Sequence, residues 1–279
     1  MMMANLHSEK NQNRDTVNIG DIAVHRIGLG TNRITDTENA RAVLRRAWEL
    51  GVNFIDTADL YQRGQSEETI GKTFSPYPSG LHIATKGGMS WDSSGAINDG
   101  AYLNKALDAS LKRLKRESVD LYQLHRTDPA VPIAQTASVL KQMQASGKVR
   151  HIGLSEVTVE QIEEYRKTIE VVSVQNQYNV FMRKYDAVVD YCEANGIVFI
   201  PFYPVGKKRP HDGLEQIAAA HDASTAQIAI AWLLTRSPML LPIPGTLSLQ
   251  HLEENVRAGK IEFTAEERDA LNGLSLVMQ

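Results

Sequence analysis

The sequence predicts a single (β/α)8 barrel, in which eight parallel strands alternate with helices around one core. Short β-rich runs alternate with segments of helical periodicity, and several runs are almost continuously apolar, as strands covered on both faces are. No Pro/Ser-rich linker or low-complexity tract interrupts this alternation. The eight runs span 26–30, 52–56, 81–86, 120–125, 150–155, 171–175, 197–201 and 240–244.

Turn and capping residues mark the ends of several helical segments. Segment 39–51 (NARAVLRRAWELG) has apolar residues at helical spacing and stops at Gly51. The segment TVEQIEEYRKT begins behind Thr158, with Gln161 at the distance of a capping box. Another helix is expected to end at Gly71, whose following Lys-Thr pair resembles a phosphate-binding loop but lacks that motif's first glycine.

Segment 16–28 (TVNIGDIAVHRIG), which leads into the first run, has turn-forming residues between two β-prone stretches, as a β-hairpin does. We expect this hairpin to close the bottom of the barrel. A doubly wound open sheet is the alternative fold, but the first run leads into GLGTNRITDTEN without a G-x-G-x-x-G turn. We therefore expect one domain over residues 16–279, preceded by a disordered tail over residues 1–15.

Composition argues against several classes of protein. Of the 279 residues, 30 are Lys or Arg and 33 are Asp or Glu, so the net charge of -3 gives no basic excess for nucleic acid or an anionic membrane. The single cysteine, Cys192, allows no internal disulfide and favours a reducing compartment. The polar N-terminal segment resembles neither a signal peptide nor a membrane anchor. We expect a cytoplasmic protein that binds a small molecule and is a monomer or a weak homo-oligomer.

Polar side chains stand where three neighbouring strands end. Asp56 ends the second run, Lys86 the third and His125 the fourth, while Tyr61 lies in the loop after the second. Active sites of such barrels lie at the carboxyl ends of the strands, and adjacent strands are about 4.8 Å apart. Each residue alone has an ordinary explanation, as a turn cap, a solvated lysine, a structural histidine or a packed tyrosine. Four of them at neighbouring strand ends favour a shared function.

These four residue types suit proton delivery to a carbonyl oxygen. We expect the ammonium of Lys86 to lower the pKa of Tyr61, and Asp56 to keep Lys86 charged. His125 can donate a hydrogen bond to a carbonyl oxygen and orient it as negative charge develops. The set contains no nucleophile–base pair of the Ser/His/Asp kind and no metal-ligand spacing, so we expect no metal.

Six motifs follow one another along the chain: VNFIDTADLY, IATKGG, DLYQLHRTDP, GKVRHIGLSE, VQNQYN and IPGTLSLQHLEEN. In this order they resemble the motifs of the aldo-keto reductase superfamily, over nearly the whole chain. The resemblance implies a (β/α)8 enzyme that reduces a carbonyl group with NAD(P)H by direct hydride transfer from nicotinamide C4. It also implies an Asp/Tyr/Lys/His tetrad of Asp56, Tyr61, Lys86 and His125, with Tyr61 as the general acid.

The resemblance further implies a set of cofactor-binding positions. They are Thr31, Asn32, Asp56, Ser155, Gln175, Phe202, Pro204, Gly206, Lys207, Gly245, Thr246, Ser248, His251, Glu254 and Asn255.

At the nicotinamide end, Ser155 and Gln175 match the positions that hold the carboxamide, and Phe202 matches the ring that stacks on nicotinamide. Thr31 and Asn32 match the loop beside the nicotinamide ribose. Glu156 stands where the family usually has Asn, and its carboxylate can still accept a hydrogen bond from the carboxamide.

At the adenosine end, Thr246 and Ser248 stand at a helix N-terminus suited to a phosphate, and Glu254 and Asn255 match the adenine contacts. Relatives that bind a 2′-phosphate often have Lys at position 245 and Arg at position 251, where this chain has Gly and His. Basic residues 207–209 could supply phosphate charge instead. On family grounds we expect NADPH, with NADH possible.

The substrate pocket is expected to have Ile34, Trp91 and Arg126 as walls. The C-terminal segment NGLSLVMQ is too short to form the long loop that a deep, steroid-type pocket needs. We therefore expect an open pocket and a small aldehyde substrate. The architecture and the FYPVGKK segment look most similar to bacterial pyridoxal-reductase-like members.

Two other functions compete with carbonyl reduction. A nucleotide-sensing barrel would bind the cofactor with little turnover. An isomerase or aldolase would use Lys86 as a Schiff-base amine and would act without nicotinamide. Turnover of a good aldehyde with NADPH separates carbonyl reduction from both.

Overall fold

A computed structural model describes residues 15–92, 94–206 and 211–274. Within them, seven parallel strands pair in sequence order, and the first two strands of the chain form a separate antiparallel hairpin. The strands are β1 Thr16–Ile19, β2 Ile22–His25, β3 Leu29–Gly30, β4 Phe54–Asp56, β5 His82–Gly87, β6 Val119–Leu124, β7 Val149–Ser155, β8 Ser173–Gln175 and β9 Val198–Phe199. This curled parallel sheet is the expected barrel.

The eighth predicted strand, 240–244, occupies the position that closes the barrel between β9 and β3. Leu241 N donates to Phe199 O at 2.9 Å on one side, and Gly28 N donates to Pro242 O at 2.9 Å on the other. The segment makes one isolated bridge to β9 rather than a regular ladder. Two prolines in the run explain the difference, since a proline has no N–H to donate.

The hairpin lies under the barrel, as predicted. Gly20 makes the turn between β1 and β2 with φ +58°, in the left-handed region that favours glycine. The apolar side chains of the hairpin share a buried cluster with residues near the strand starts. These hairpin residues are Val17, Ile19, Ile22 and Val24, and their barrel neighbours include Phe54, Leu121 and Val198.

Helices surround the parallel sheet. They are α1 Glu38–Glu49, α2 Gln65–Phe74, α3 Gly100–Leu114, α4 Ile133–Ala145, α5 Val159–Arg166, α6 Asp186–Ala194, α7 Asp212–Ala220, α8 Thr225–Arg236, α9 Leu249–Arg257 and α10 Ala265–Gly273, with short 3-10 turns at Tyr61–Gly64 and Ala258–Lys260. No helix within the described ranges is long and apolar enough to cross a bilayer.

The helix-end predictions had mixed outcomes. The capping box of Thr158 and Gln161 is present at the start of α5, and Gly51 follows α1 with φ +87°. The expected helix end at Gly71 is wrong, because α2 continues to Phe74. A Cβ atom at Gly71 would lie 2.3 Å from Arg113 O, so this glycine allows α2 and α3 to approach closely.

The domain prediction of 16–279, with a tail over 1–15, stays a prediction. Most of that tail, residues 1–14, lies outside the described residues.

Candidate active site

The barrel brings the tetrad residues to one end of the sheet. Asp56 is the last residue of β4, Lys86 lies next to the end of β5, and His125 directly follows β6. In the parallel register, Asp56 pairs with Ala84 of β5, two residues before Lys86. Tyr61 begins the 3-10 turn beyond β4.

Lys86 is the centre of a buried hydrogen-bonded group. Its Nζ donates to Asp56 Oδ1 at 2.5 Å, to Thr57 O at 2.9 Å and to the Tyr61 hydroxyl at 3.2 Å. The side chains of Lys86 and Asp56 are 0% and 1% exposed. A buried ammonium is stable only when it is paired and hydrogen-bonded, and all three donors of Lys86 have partners here.

Burial and neighbouring charges decide the proton positions in this group. Burial lowers the pKa of Lys86, but the carboxylate of Asp56 and the hydroxyl of Tyr61 outweigh it and raise the pKa overall. Burial raises the pKa of Tyr61, and the opposing charge of Lys86 is not enough to reverse it. The net direction for Tyr61 is therefore opposite to the sequence-based expectation. At neutral pH both groups keep their protons, so Tyr61 has one to donate.

His125 lies beside Tyr61 at the opening of the barrel, the end at which β4, β5 and β6 terminate. The two rings are 6.0 Å apart between centroids and nearly perpendicular, at 82°. Burial, followed by the charges of Lys86 and Arg126, lowers the pKa of His125 well below its usual value. Its Nδ1 is buried without a hydrogen-bond partner in the described part of the chain. His125 is therefore a neutral imidazole at neutral pH with one ring nitrogen that has no partner within the described residues.

Gln123 is a residue of this site that the sequence reasoning missed. Its Nε2 donates to Asp56 Oδ2 at 2.9 Å, and Gln175 Nε2 donates to the same oxygen at 2.9 Å. Gln175 Nε2 also donates to Gln123 Oε1 at 3.2 Å. The signal was present, since Gln123 is a polar residue in an apolar strand, two positions before His125 and so on the same face.

The hydrogen bond to Asp56 also fixes the orientation of the Gln175 side-chain amide. An ionised carboxylate only accepts hydrogen bonds, so the nitrogen of Gln175 must face Asp56. Its Oε1 makes no hydrogen bond within the described residues and remains an acceptor at the site.

Ser155 and Glu156, at the end of β7, lie on another side of this opening. Ser155 Oγ accepts from Arg126 Nη1 at 3.1 Å. The carboxylate of Glu156 is engaged elsewhere, because its Oε1 accepts from Gln177 N at 2.7 Å and its Oε2 from the Tyr185 hydroxyl at 3.2 Å. Each oxygen of Glu156 therefore has one partner within the protein, and a hydrogen bond from a carboxamide to this carboxylate stays a prediction.

The loop after β3 has one buried and one exposed candidate. Thr31 Oγ1 donates to Asp56 O at 2.9 Å and accepts from Ser66 Oγ at 2.8 Å, so this hydroxyl is used within the protein. Asn32 is exposed. The half-buried Phe202, beyond β9, has its ring centroid 5.9 Å from the guanidinium carbon of Arg126.

Beyond Phe202, Pro204 is buried and Gly206 has φ +66°. Lys207 and the rest of the basic segment 207–209 lie outside the described residues.

Gly245 marks a close backbone approach. A Cβ atom there would lie 2.8 Å from Gly30 O, and a Cβ atom at Gly30 would lie 2.6 Å from Ile243 O. The lysine that relatives often have at position 245 would clash with this backbone.

The remaining adenosine-end candidates lie on or before α9. Ser248 N donates to Thr246 Oγ1 at 3.0 Å, and Ser248 Oγ caps α9 by accepting from His251 N at 3.3 Å. Along the helix, Glu254 accepts from the side chain of Gln250, and Asn255 is buried. The structure therefore places these five candidates on one segment, Thr246, Ser248, His251, Glu254 and Asn255.

The three expected substrate walls have different surroundings. Ile34 is 1% exposed and packs in the main hydrophobic core, so it has no free face for a substrate. Trp91 is 48% exposed in the loop after β5 and packs against Arg113 of α3. Arg126 lies beside His125, at the opening itself.

Comparisons with known proteins identify the family of the chain. The profile of the Aldo/keto reductase family matches residues 26–275. An uncharacterized oxidoreductase of Schizosaccharomyces pombe is 43% identical, over 90% of this chain and 87% of its own length. Pyridoxine 4-dehydrogenase of Escherichia coli is 37% identical, over 94% of this chain and 98% of its own.

A solved structure supports the fold independently. The aldo-keto reductase of Klebsiella pneumoniae in complex with NADPH superposes with a TM-score of 0.84 and 26% identity, over 93% of this chain and 94% of that one. Because the family profile spans residues 26–275 and two relatives are 43% and 37% identical over 90% and 94% of the chain, the chain belongs to the aldo/keto reductase family of oxidoreductases.

Proposed function

We propose that this chain reduces an aldehyde or ketone to the alcohol with NADPH, using Tyr61 as general acid. The observation that carries the proposal is the continuous hydrogen-bonded chain from Asp56 through Lys86 to the Tyr61 hydroxyl, with neutral His125 facing the same opening.

Each tetrad residue has a role that follows from its contacts. The reduced nicotinamide, when bound, supplies the hydride that attacks the carbonyl carbon. The electron pair of the C=O π bond then moves to oxygen, which takes the proton of Tyr61. Lys86 stabilises the phenolate that forms, Asp56 holds Lys86 in place, and His125 donates a hydrogen bond that orients the carbonyl oxygen.

The residues present suit a nicotinamide nucleotide. Gln175 Oε1 is an open acceptor for a carboxamide N–H, and the half-buried Phe202 ring offers an apolar face for stacking. The backbone around Thr246 and Ser248, at the start of α9, suits a phosphate. The NADPH complex of the similar Klebsiella enzyme supports NADPH as the cofactor.

The substrate class we propose is a small aldehyde, with pyridoxal as the first candidate. The similarity to the E. coli pyridoxine 4-dehydrogenase supports this choice.

Loss of NADPH absorbance with pyridoxal and with 4-nitrobenzaldehyde tests the proposal, with NADH and the Tyr61→Phe variant in parallel. We expect turnover with NADPH and a loss of at least about 100-fold in kcat for Tyr61→Phe, with cofactor affinity kept. A variant as fast as wild type would disprove the general-acid role. Tight NADPH binding without turnover of any carbonyl would favour a sensor.

A further inference from the structure

Arg126 has a positive charge at the opening that no carboxylate of the described residues neutralises. Its two hydrogen bonds go to uncharged groups, with Nη1 donating to His125 O at 2.6 Å and to Ser155 Oγ at 3.1 Å. Nε and Nη2 donate to none of the described residues, and the side chain is half-buried. The guanidinium therefore has spare donors in the fork geometry that suits carboxylate and phosphate.

Two acidic residues of the site already have other partners. Both oxygens of Glu156 accept hydrogen bonds, from Gln177 N and from the Tyr185 hydroxyl. Asp56 is ion-paired with Lys86 and also accepts from Gln123 and Gln175. An internal ion pair thus does not explain the half-buried charge of Arg126.

The position of Arg126 relative to the reacting groups suits a role in substrate recognition. It follows His125 directly in the chain, and its guanidinium carbon is 5.9 Å from the centre of the Phe202 ring. Its charge also contributes to lowering the pKa of His125. A carbonyl compound held by Tyr61 and His125 would therefore have its remaining atoms within reach of this guanidinium.

We propose that Arg126 selects carbonyl substrates that have a second, anionic group, a carboxylate or a phosphate. This inference rests on the proposed reductase function and names the substrate class of the same site. The reacting carbonyl lies at Tyr61 and His125, and the anionic group is held by the free Nε and Nη2 donors of Arg126.

Matched substrate pairs test the proposal. We would measure kcat/KM of the full chain with NADPH for 4-carboxybenzaldehyde against its methyl ester, and for pyridoxal 5′-phosphate against pyridoxal. The first pair reports on a carboxylate and the second on a phosphate. We expect wild type to prefer the anionic member of at least one pair by roughly 10- to 100-fold, as a charge-assisted hydrogen bond implies.

Arg126→Gln should abolish this preference, because it should lower kcat/KM for the anionic member at least about tenfold more than for the neutral member. Arg126→Lys, which keeps the charge but not the fork, should retain part of the preference. Arg33→Gln, which removes an exposed arginine from the loop after β3, is the matched charge control and should keep the full preference.

Three results would overturn the inference. They are the absence of an anion preference in wild type, an equal loss for both members of a pair in Arg126→Gln, and a raised KM for NADPH with unchanged substrate preference. In each case turnover of the neutral aldehyde would leave the reductase function standing. Failure of wild type to reduce any aldehyde would reject the reductase function itself.

Discussion

Asp59 is a buried carboxyl two residues before Tyr61, and it has no role in the proposed chemistry. It is 1% exposed, and neither of its oxygens has a hydrogen-bond partner in the described part of the chain. Burial, with a further contribution from the charge of Glu67, raises the pKa of Asp59 to about 7. Its ionised form is therefore poorly accommodated in the fold.

This raised pKa predicts a dependence of stability on pH. The folded pKa lies above the unfolded value, so Asp59 contributes stability that is fully present below about pH 4 and lost as the pH rises to about 7. Asp59→Asn should remove this decline and raise the free energy of unfolding at pH 8 by roughly 2–4 kcal/mol. Urea unfolding of both proteins at pH 5 and pH 8 measures it. The exposed Asp269→Asn is the control, and equal pH profiles of Asp59→Asn and wild type would contradict the account.

Gln123 is a second buried residue with a testable role, because its amide links two residues of the site. It donates to Asp56 and accepts from Gln175, and it is fully buried. Loss of a hydrogen bond to a charged group costs about 1.5–3 kcal/mol, so Gln123→Leu should lower kcat by about tenfold or more.

Steady-state kinetics with one aldehyde checks this prediction. The effect should fall mainly on kcat, with little change in substrate KM, because Gln123 positions Asp56 and Lys86 rather than touching the substrate. Gln142→Leu, on the exposed face of α4, should leave kcat unchanged. An unchanged kcat in Gln123→Leu would show that Asp56 needs no third donor.

At the scale of elements, close approaches fix how helices and strands pack around the site. Gly71 places α2 against α3, and the Gly30–Gly245 contact joins the loop after β3 to the segment that precedes α9. All three glycines stand where an added side chain would meet backbone. Because backbone atoms cannot rotate away as a side chain can, substitution there must move an element.

Gly71→Ala is expected to destabilise the fold despite the better helix propensity of alanine. The added Cβ would lie 2.3 Å from Arg113 O, and such overpacking costs about 1–3 kcal/mol, more than the roughly 1 kcal/mol gained in propensity. Urea unfolding measures the difference. Gly273→Ala in α10, with no neighbouring atom within 4 Å, should be neutral or slightly stabilising. A stabilised Gly71→Ala would show that α2 is free to move.

At the scale of the whole molecule, the sequence pattern predicted those features that depend on neighbouring residues in the chain. Strand ends, the hairpin turn at Gly20 and the capping box at Thr158 follow from short stretches of sequence, and they put Asp56, Lys86 and His125 at one end of the barrel. Side-chain alternation in β6 also contained the signal for Gln123, which was overlooked.

Contacts between distant segments could not be predicted in the same way. One partner of Glu156 is Tyr185, 29 residues away, and Gly71 meets the backbone of Arg113 where two helices pack. The direction of the Tyr61 pKa depends on burial, which only the packed loop determines. Such features arise from three-dimensional packing, so a single sequence does not reveal them.

The most direct test of the central claim is a single-turnover reduction with NADPH deuterated at the transferring C4 position, in wild type and Tyr61→Phe. We predict an alcohol with one deuterium on the former carbonyl carbon, formed at least about 100-fold more slowly in the variant. An alcohol without deuterium, or equal rates in the two proteins, would contradict the proposed hydride transfer or the role of Tyr61, respectively.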